Sequence, residues 1–554
     1  MKLKLLSDYL DKISLTSGRL DKTSIISELL NDVPEKDIEY LIYILQGKFA
    51  PEYEKLNLGI SNKLIIKTLS NVTGHSSEHI EKEWANIGDI GELSEKLIGS
   101  RKQNILFSEN LSLKELIETL KIISNLEGKG STERKLELLT KLYSKSEKNS
   151  VKYITRLCIE DMRTGAGFGV IRDAIANSFS VEKSKIQSSY DIFPDIAKIG
   201  FLCKKYGKNF DKNIEMSPGK PLKVMLFQKA ENISSAFDKL GDKISAEYKY
   251  DGFRLQIHRK NNEIKLFTRN LDDVSKQFPD IIEIIKSNVN SKNFIIDCEA
   301  IGINRSKNTW LPFQKVSRRI KRKYDIDQII KEIPISLRIF DLVYENGSKL
   351  DVRFEERRKI LSKLISEKVN YIELSELIIS DSELKIKEFY ESALAKGAEG
   401  IMLKNLDGVY KPGSRVGFGL KLKPTMENLD LVITAAEWGT GKRANWLSSF
   451  ELSCKKGNDF LNIGKLGTGI KEKESEGVSF SELTKKLKKD ILNEEGKRVV
   501  VKPNIIIEVA YEEIQKSENY TSGYALRFPR FVRLREDLSL SDVDDIAKIE
   551  SLIK

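Results

Sequence analysis

The sequence predicts a multidomain protein with an all-helical first part, an α+β middle part and a strand-rich last part. Three observations indicate this: the spacing of apolar residues, the placement of prolines and glycines, and a change from helical to alternating patterns along the chain. A chain of 554 residues is long enough for roughly three or four domains with separate cores. The predicted domains are residues 1–217, 218–424 and 425–554.

The first part shows the spacing of amphipathic helices and few residues that would break them. Apolar residues recur three and four positions apart, as in the segment Leu113–Leu120. Prolines are scarce until the segment Pro218–Pro221 interrupts the pattern with two prolines and a glycine. We therefore expect an all-α domain that ends near residue 217.

In the middle part, strand-like runs alternate with helical runs, which is typical of an α+β domain. The segment Ile244–Lys249 alternates apolar and polar residues, which predicts a half-buried strand with Glu247 and Lys249 on one face. A lysine on a pocket-lining face can act as a nucleophile once desolvation or neighbouring cations lower its pKa. Taken alone, the tetrapeptide KYDG is equally consistent with an ordinary turn at Asp251 and Gly252.

The last part is rich in short strand-like runs and turn glycines. Such runs occupy Leu429–Gly439, Phe460–Ile470 and Asn504–Ile514. Several short strands separated by glycines predict a small β domain. The sequence shows neither an internal repeat nor a long low-complexity segment.

Composition favours a polyanionic partner and argues against several other classes of protein. Lysine and arginine number 93 against 82 acidic residues, which gives a net charge of +11. No apolar run approaches the roughly 20 residues of a membrane span, so we expect a cytoplasmic protein without a membrane partner. The four cysteines are too far apart to indicate a zinc site or a disulfide framework, which favours a reducing compartment. They are Cys158, Cys203, Cys298 and Cys454.

Seven short motifs follow one another in the middle and last parts. They are KYDG (Lys249–Gly252), FTRN (Phe267–Asn270), FIIDCEAIG (Phe294–Gly302), RIFDLVYENG (Arg338–Gly347), EGIMLKN (Glu399–Asn405), GLKLKP (Gly419–Pro424) and ALRFPRFVRLRED (Ala525–Asp537). Through these motifs the chain resembles the ATP-dependent DNA ligases of the archaeal and eukaryotic replicative type. The similarity extends over essentially the whole chain, including Arg156–Ala176 and Pro221–Gln228.

The resemblance implies a fold, an activity and a set of partners. The fold is an all-α DNA-binding domain, an α+β nucleotidyltransferase (adenylation) domain and a β-barrel OB-fold domain. The activity is the sealing of nicks in duplex DNA during replication, repair and recombination, with ATP and Mg²⁺ or Mn²⁺. The protein is expected to be a nucleoid-associated monomer.

The resemblance also implies roles for individual residues. Lys249 attacks the α-phosphorus of ATP, expels pyrophosphate and holds AMP, which then passes to the 5′-phosphate of the nick. The neighbouring 3′-hydroxyl attacks that activated phosphate and releases AMP. The implied metal ligands are Glu299 and Glu399. The implied nucleotide contacts are Glu247 at the adenine edge, Arg254 and Arg269 at the ribose and phosphates, Phe340 against the base, Glu299 at the ribose, and Arg415, Lys421 and Lys423.

Residue patterns support part of this assignment. Lys421 and Lys423 alternate with leucines, which places both ammonium groups on one strand face, where they would meet the α-phosphate and help to lower the pKa of Lys249. Phe340 lies in a run that could equally be a buried strand, so core packing remains an alternative. Asp297 shares a strand face with Glu299, and its role stays open.

Four further expectations concern the rest of the chain. Some arginines of Ala525–Asp537 are expected at the pyrophosphate, with a hinge at Lys423–Asn428. Related ligases commonly close that motif with a lysine, where this chain has Leu538, so either a nearby cation such as Arg533 or Arg535 takes over the pyrophosphate contact or self-adenylylation is slow. A sliding-clamp contact is expected through Gln103, Leu106 and Phe107, although a buried helix turn is an alternative. The glycines of Gly165–Gly169 favour a helix start that contacts the DNA backbone.

Other functions were weighed against this one. An RNA ligase or a capping-type nucleotidyltransferase shares KYDG, and a non-catalytic DNA clamp or scaffold would share the basic charge. The scattered cysteines cannot form the zinc finger of NAD⁺-dependent ligases, whereas ADP or GTP as a second donor stays open. His75, His79 and His258 form no metal set and are expected to be incidental.

Overall fold

The computed structural model describes residues 1–54, 56–100, 111–320, 322, 325–424, 426–439 and 443–553. It contains two compact units, Met1–Lys423 and Pro424–Lys554. The first unit begins with a helical region and continues with a mixed region of helices and strands. Among the described residues, no helix is both long and apolar enough to span a membrane.

The helical region is built around one continuous apolar core. Leu113, Leu116, Ile117 and Leu120 are buried on one face, as their spacing predicts. Ser112 caps that helix by accepting a hydrogen bond from the Glu115 N–H at 3.1 Å. The helices are α1 (Leu3–Leu15), α2 (Arg19–Asp32), α3 (Ile38–Leu45), α4 (Asn62–Thr73), α5 (Ser77–Ile87), α6 (Ile90–Gly99), α7 (Leu113–Ser124), α8 (Ser131–Lys145), α9 (Lys148–Cys158), α10 (Phe168–Phe179), α11 (Lys183–Ile192) and α12 (Ile196–Tyr206).

The mixed region contains two sheets and the helices that cover them. Its helices are α13 (Ile233–Leu240), α14 (Pro279–Asn288), α15 (Phe313–Ile320), α16 (Ile326–Glu332), α17 (Phe354–Leu364) and α18 (Glu383–Ala395). Its strands are β1 (Leu226–Lys229), β2 (Ile244–Lys249), β3 (Phe253–Lys260), β4 (Glu263–Thr268), β5 (Asn293–Asn304), β6 (Thr309–Leu311), β7 (Ile335–Glu345), β8 (Ile372–Leu374), β9 (Leu377–Ser380), β10 (Gly400–Asn405) and β11 (Arg415–Leu422).

The two sheets pack face to face. One has the order β1-β11-β10-β2-β9, and the other has the order β4-β3-β5-β7-β8 with β6 paired to β5. Each sheet buries its outer face under helices. The inner faces meet through a smaller apolar cluster that includes Met225, Ile295 and Val416. Polar side chains on the remaining inner surface therefore face a space between two sheets.

The expectation that β2 is half-buried was wrong. Ala246 and Tyr248 pack under α13 and α18, as expected for one apolar face. Ser245 and Glu247 on the other face are also buried, because the second sheet covers them. Alternation identified the two faces correctly, but it could not show that a second sheet closes over the polar one.

The connection between the helical and mixed regions is held by a buried histidine. His258 Nδ1 accepts a hydrogen bond from the Gly219 N–H at 3.1 Å, and its Nε2 lies 2.8 Å from Gln256 Oε1. Gln256 Oε1 also accepts from the Leu222 N–H at 3.0 Å. Burial lowers the pKa of His258 to about 3, so the ring is neutral at physiological pH. His258 is therefore a structural residue, a role that the sequence did not indicate, and its absence from catalysis and metal binding stays a prediction.

The described residues of the second unit form mainly strands, together with two short α-helices. The strands are β12 (Leu429–Trp438), β13 (Leu447–Lys456), β14 (Asp459–Leu466), β15 (Ile491–Glu495), β16 (Arg498–Val501), β17 (Ile506–Ala510), β18 (Glu513–Lys516), β19 (Tyr524–Arg527) and β20 (Arg530–Leu534). The helices are α19 (Phe480–Leu487) and α20 (Ile546–Ser551). One apolar core joins them.

The strand pairing of the second unit is open. The main sheet has the order β14-β13-β12-β16-β15, with β17 paired to β12 and β20 paired to β17, while β18 and β19 form a separate hairpin. Across the gap, the Phe531 N–H donates a hydrogen bond to the Thr468 carbonyl oxygen at 2.9 Å. Within the described ranges the ladder does not close, so the expected barrel is corrected to an open arrangement of strands.

Candidate active site

The candidate active site lies between the two sheets of the mixed region. Strands β2, β10 and β11 supply one wall, and β3, β5 and β7 supply the other. Side chains with odd numbers on β2, on β5 and in the Leu420–Leu422 part of β11 point inward, because their even-numbered neighbours fill the outer cores. Most of the residues that the motifs singled out meet on these inner faces.

Lys249 is the last residue of β2, and its ammonium group is ion-paired with Glu399. Lys423 contacts the same carboxylate oxygen, Glu399 Oε2, at 2.7 Å. The Glu399 N–H also donates a hydrogen bond to the Lys249 carbonyl oxygen at 2.7 Å. Burial would raise the pKa of the Glu399 carboxyl, but the ammonium groups of Lys249 and Lys423 lower it to about 2. Glu399 is therefore ionised and holds two lysines together.

Glu299 faces the same space from β5. The pKa of its carboxyl is raised to about 7, chiefly by burial; the Lys249 and Arg254 cations lower it, and the Glu399 and Asp251 carboxylates raise it. Carboxylate oxygens that converge in this way repel one another unless a cation binds between them. In the part of the chain that the structure describes, no three His, Cys, Asp or Glu side chains form a metal cluster. Two carboxylates still fit Mg²⁺, which usually keeps several waters as ligands.

Lys421 shares the inner face of β11. Its neighbours Leu420 and Leu422 are buried in the outer core, which confirms the predicted alternation. Met402 pairs in register with both Lys421 and Glu247, so the three residues form one row across β11, β10 and β2. Lys421 and Lys249 therefore lie on the same face of this sheet.

Glu247 is buried, and two cations hold its carboxylate. Arg358 Nη1 donates to Glu247 Oε1 at 3.0 Å, and the Lys404 ammonium is paired with Oε2. Sequence reasoning missed both cations. Lys404 lies in the EGIMLKN motif, where strand alternation could have placed it on the inner face, whereas Arg358 lies on α17 and carried no signal.

Phe340 is half-buried on the inner face of β7 and lies outside the apolar cores. The Arg254 guanidinium lies 5.2 Å from its ring centroid, and the Lys404 ammonium lies 5.5 Å from it. Core packing, the alternative reading of Phe340, therefore does not describe its surroundings. The ring is a flat apolar surface bordered by cations.

Arg254 is held from three directions. Its Nη1 donates to the Met225 carbonyl oxygen at 2.8 Å, and its Nη2 donates to Asp297 Oδ2 at 2.5 Å and to the Tyr410 hydroxyl at 3.1 Å. Asp297, whose role the sequence left open, therefore serves as the acceptor for Arg254. Tyr410 was missed, because it belongs to none of the seven motifs.

Two expected nucleotide contacts lie away from this cluster. Arg269 is exposed in the turn after β4, whose last residue pairs with Leu255 beside Arg254. Arg415 is exposed at the first residue of β11, at the opposite end from Lys421. The structure does not bring these two arginines into contact with Lys249 or Glu399.

The arginine-rich motif of the second unit is largely paired within that unit. Arg535 Nη1 donates to both Asp430 oxygens at 2.8 and 2.7 Å, and its Nη2 donates to Asp537 at 2.8 Å. Arg533 is paired with Glu508 at 2.5 Å but remains exposed. Leu538 is half-buried against the apolar cluster of Val432, Ile506 and Val543. Leu538, which stands where related ligases commonly have a lysine, therefore packs in an apolar cluster of the second unit.

Two other expectations have different outcomes. The segment Gln103–Phe107, with the expected clamp residues Gln103, Leu106 and Phe107, lies outside the described residues. The glycine segment Gly165–Gly169 leads directly into α10, with Gly167 as its N-cap. A helix start at this glycine segment was expected from the sequence.

Three family models match the chain in order. "DNA ligase N terminus" matches residues 2–176, "ATP dependent DNA ligase domain" matches residues 224–423, and "ATP dependent DNA ligase C terminal region" matches residues 443–538. The solved structure described as "Pmar-Lig_PreS3" has a TM-score of 0.58 at 17% identity and covers 96% of this chain, which itself spans 99% of that structure. These matches confirm the predicted fold class of helical, adenylation and OB-fold domains.

Full-length relatives give the same result. The DNA ligase of Nanoarchaeum equitans is 43% identical over all of this chain and 98% of its own length. The DNA ligase of Thermococcus fumicolans is 36% identical over 100% of this chain and 98% of its own length. The DNA ligase of Archaeoglobus fulgidus is 36% identical over 99% of this chain and 98% of its own length. These relatives support the ligase interpretation over the RNA ligase, capping and scaffold alternatives. The chain belongs to the ATP-dependent DNA ligase family.

Proposed function

We propose that this protein seals nicks in duplex DNA with ATP, through an AMP group carried on Lys249. The observation that carries the proposal is the cluster of Lys249, Lys423 and Glu399 at the open edge of a cleft that also holds Phe340 and Arg254. A nucleophile, phosphate-binding cations and a flat ring for a base are thus combined in one site.

Before the first step, the Lys249 ammonium group releases its proton to water and separates from Glu399. Its nitrogen then forms a bond to the α-phosphorus of ATP, while the bond from that phosphorus to the bridging oxygen breaks and pyrophosphate leaves. Lys421 and Lys423 lie on the wall beside Lys249 and neutralise the charge on the α-phosphate. Because each step expels a good leaving group, the protein contributes mainly positioning and charge.

The remaining inner-face residues bind the nucleotide. Phe340 stacks on the adenine, Glu247 accepts a hydrogen bond at the adenine edge, and Arg254 contacts the ribose. Arg269 and Arg415, both exposed at the rim, reach the phosphates when the substrate is bound.

Glu299 and Glu399 would hold Mg²⁺ or Mn²⁺, and Glu299 would also contact the ribose. The bound metal would neutralise developing negative charge on the phosphates. The two carboxylates fit this role because the Glu399 carboxylate raises the pKa of Glu299, and a cation bound between them would relieve that repulsion.

The three regions differ in secondary structure, and we propose a different function for each of them. We assign DNA binding to residues 1–217, adenylation to residues 218–424 and closure over the substrate to residues 425–554 with a hinge at Lys423–Asn428. Gly167 at the start of α10 permits close approach of a DNA phosphate. In the cell, the protein would act as an intracellular monomer in replication, repair and recombination, with a clamp contact at Gln103–Phe107.

Incubation with radiolabelled ATP and Mg²⁺, followed by a denaturing gel, tests the proposal. The protein should acquire acid-labile AMP, and Lys249→Ala and Lys249→Arg should abolish the label, since a guanidinium stays protonated. Lys260→Ala, at an exposed strand lysine, is the matched control and should label normally. Labelling that persists in Lys249→Ala would overturn the assignment.

A second arm addresses DNA. Deletion of residues 1–217 should reduce the joining of a nicked duplex far more than self-adenylylation, and joining should fall steeply as salt rises. An equal loss of both activities would contradict the division of labour.

A further inference from the structure

Tyr410 is a buried hydroxyl at the nucleotide cleft that none of the steps above uses. It lies between β10 and β11, and its own N–H donates to the Leu350 carbonyl oxygen at 2.9 Å. Its hydroxyl donates to Asp297 Oδ2 at 2.6 Å and accepts from Arg254 Nη2 at 3.1 Å. A tyrosine hydroxyl placed between an arginine and an aspartate can fix the orientation of both.

The surrounding charges make this arrangement rigid. Asp297 is completely buried, and a buried carboxylate is costly unless it is paired and hydrogen-bonded. Burial, together with Asp297, raises the pKa of Tyr410 far above its ordinary value, so the hydroxyl remains a neutral donor. Asp297 Oδ2 thus receives one bond from Tyr410 and one from Arg254.

The remaining contacts of Arg254 determine where its plane lies. Nη1 is fixed by the Met225 carbonyl oxygen, and one face of the guanidinium is turned toward the Phe340 ring at 5.2 Å. The Met225 N–H in turn approaches the Tyr410 hydroxyl at 3.4 Å. A shift of Arg254 would therefore change the surface that Phe340 and Arg254 together offer to a base and its ribose.

We propose that Tyr410 is a positioning residue for the donor nucleotide, acting through Arg254 with Asp297 as the shared acceptor. The inference rests on the proposed function, because it assumes that the cleft binds ATP. Tyr410 touches no reacting atom. Its loss should weaken nucleotide binding and leave the chemical step nearly unchanged.

Self-adenylylation of the full chain, measured at several ATP concentrations in single turnovers, tests this. Tyr410→Phe keeps the ring and removes the hydroxyl, and we expect the KM for ATP to rise about tenfold with a maximal rate within about twofold of the parent. Asp297→Asn should raise KM in the same sense. Tyr390→Phe, a partly buried tyrosine on α18 outside the cleft, is the matched control and should leave both constants unchanged.

A double variant tests the route of action. Adding Tyr410→Phe to Arg254→Lys should raise KM by less than about twofold beyond Arg254→Lys alone, because the group through which Tyr410 acts is already altered. Independent, multiplicative effects would overturn the positioning role, as would an unchanged KM in Tyr410→Phe. Absence of AMP transfer in the parent protein would overturn the proposed function itself, which separates the two failures.

Discussion

Lys404→Met removes one of the two cations that hold the buried Glu247 carboxylate. Methionine keeps much of the lysine side-chain volume, so packing against Phe354 and Phe340 is largely retained. Glu247 is 1% exposed and Lys404 is 5% exposed, which means that water cannot replace the lost charge. The substitution therefore isolates the electrostatic contribution of Lys404.

The magnitude follows from the remaining partner. Removing one member of a buried ion pair costs about 3 to 5 kcal/mol, and the Arg358 hydrogen bond at 3.0 Å favours the lower limit, about 3 kcal/mol. Since 1.36 kcal/mol is a factor of ten, local opening of β2 and β10 should become about a hundredfold more frequent. The KM for ATP should also rise, because Glu247 would no longer be held beneath the adenine.

Hydrogen exchange measured by mass spectrometry can detect this local opening, because peptides from β2 and β10 report on the sheet that contains these two strands and not on the second unit. Lys239→Met, at an exposed position on α13, is the control and should leave their exchange unchanged. Glu247→Gln combined with Lys404→Met should exchange more slowly than Lys404→Met, because the uncompensated charge is gone. A change below about threefold in Lys404→Met, or no recovery in the double variant, would refute the reasoning.

Three further predictions concern other parts of the molecule. His258→Phe leaves the half-buried Gly219 N–H without its acceptor, at a cost of about 1 kcal/mol, and should reduce nick joining more than self-adenylylation. Equal loss of both activities would contradict an effect on the connection between the regions. The pKa of Glu399 is lowered to about 2, so its ion pairs contribute stability above about pH 4.5, and this stability is lost as the pH falls toward 2. The Glu399→Gln variant should therefore lose less stability than the parent between about pH 4.5 and about pH 2. An acid-unfolding profile identical to that of the parent would contradict this prediction. Leu538→Lys should not accelerate AMP transfer to Lys249, because the Leu538 side chain packs on Val432, Ile506 and Val543. Thermal unfolding of this variant should show that the second unit is destabilised. Faster AMP transfer in the variant would instead indicate that adenylylation is slow in the parent.

Local patterns predicted much of the site because its walls are regular strands. The alternation in Lys421–Lys423 and in Ile244–Lys249 fixed which side chains share a face, and the observed faces agree. The alternation of apolar and polar residues could not show that a second sheet packs on the inner face of β2. The burial of Glu247 was therefore missed. Burial depends on contacts between segments that are distant in sequence, such as β2 and α17.

The residues that escaped prediction are those that serve the site from outside its motifs. Arg358 and Tyr410 each pair with a carboxylate on a strand whose own pattern was recognised, and His258 accepts a hydrogen bond from Gly219 in the connection between the regions. Nothing in a single arginine, tyrosine or histidine indicates its partner before the chain has folded. The expected closed barrel was corrected for a related reason, since closure depends on pairing between β14 and β20, which are far apart in sequence.

The charges of the cleft are already paired with one another before a nucleotide binds. Glu399 holds Lys249 and Lys423, Glu247 is held by two cations, and Arg254 is fixed by Asp297. Under the proposed function, an anionic triphosphate must therefore take the lysines from Glu399, whereas the buried ion pairs of Glu247 and Arg254 stay in place. Binding energy from the rigid part of the site can then offset the cost of separating Lys249 from Glu399, which frees the amine only when a nucleotide is in place. Such coupling would tie the reactivity of Lys249 to occupancy of the cleft.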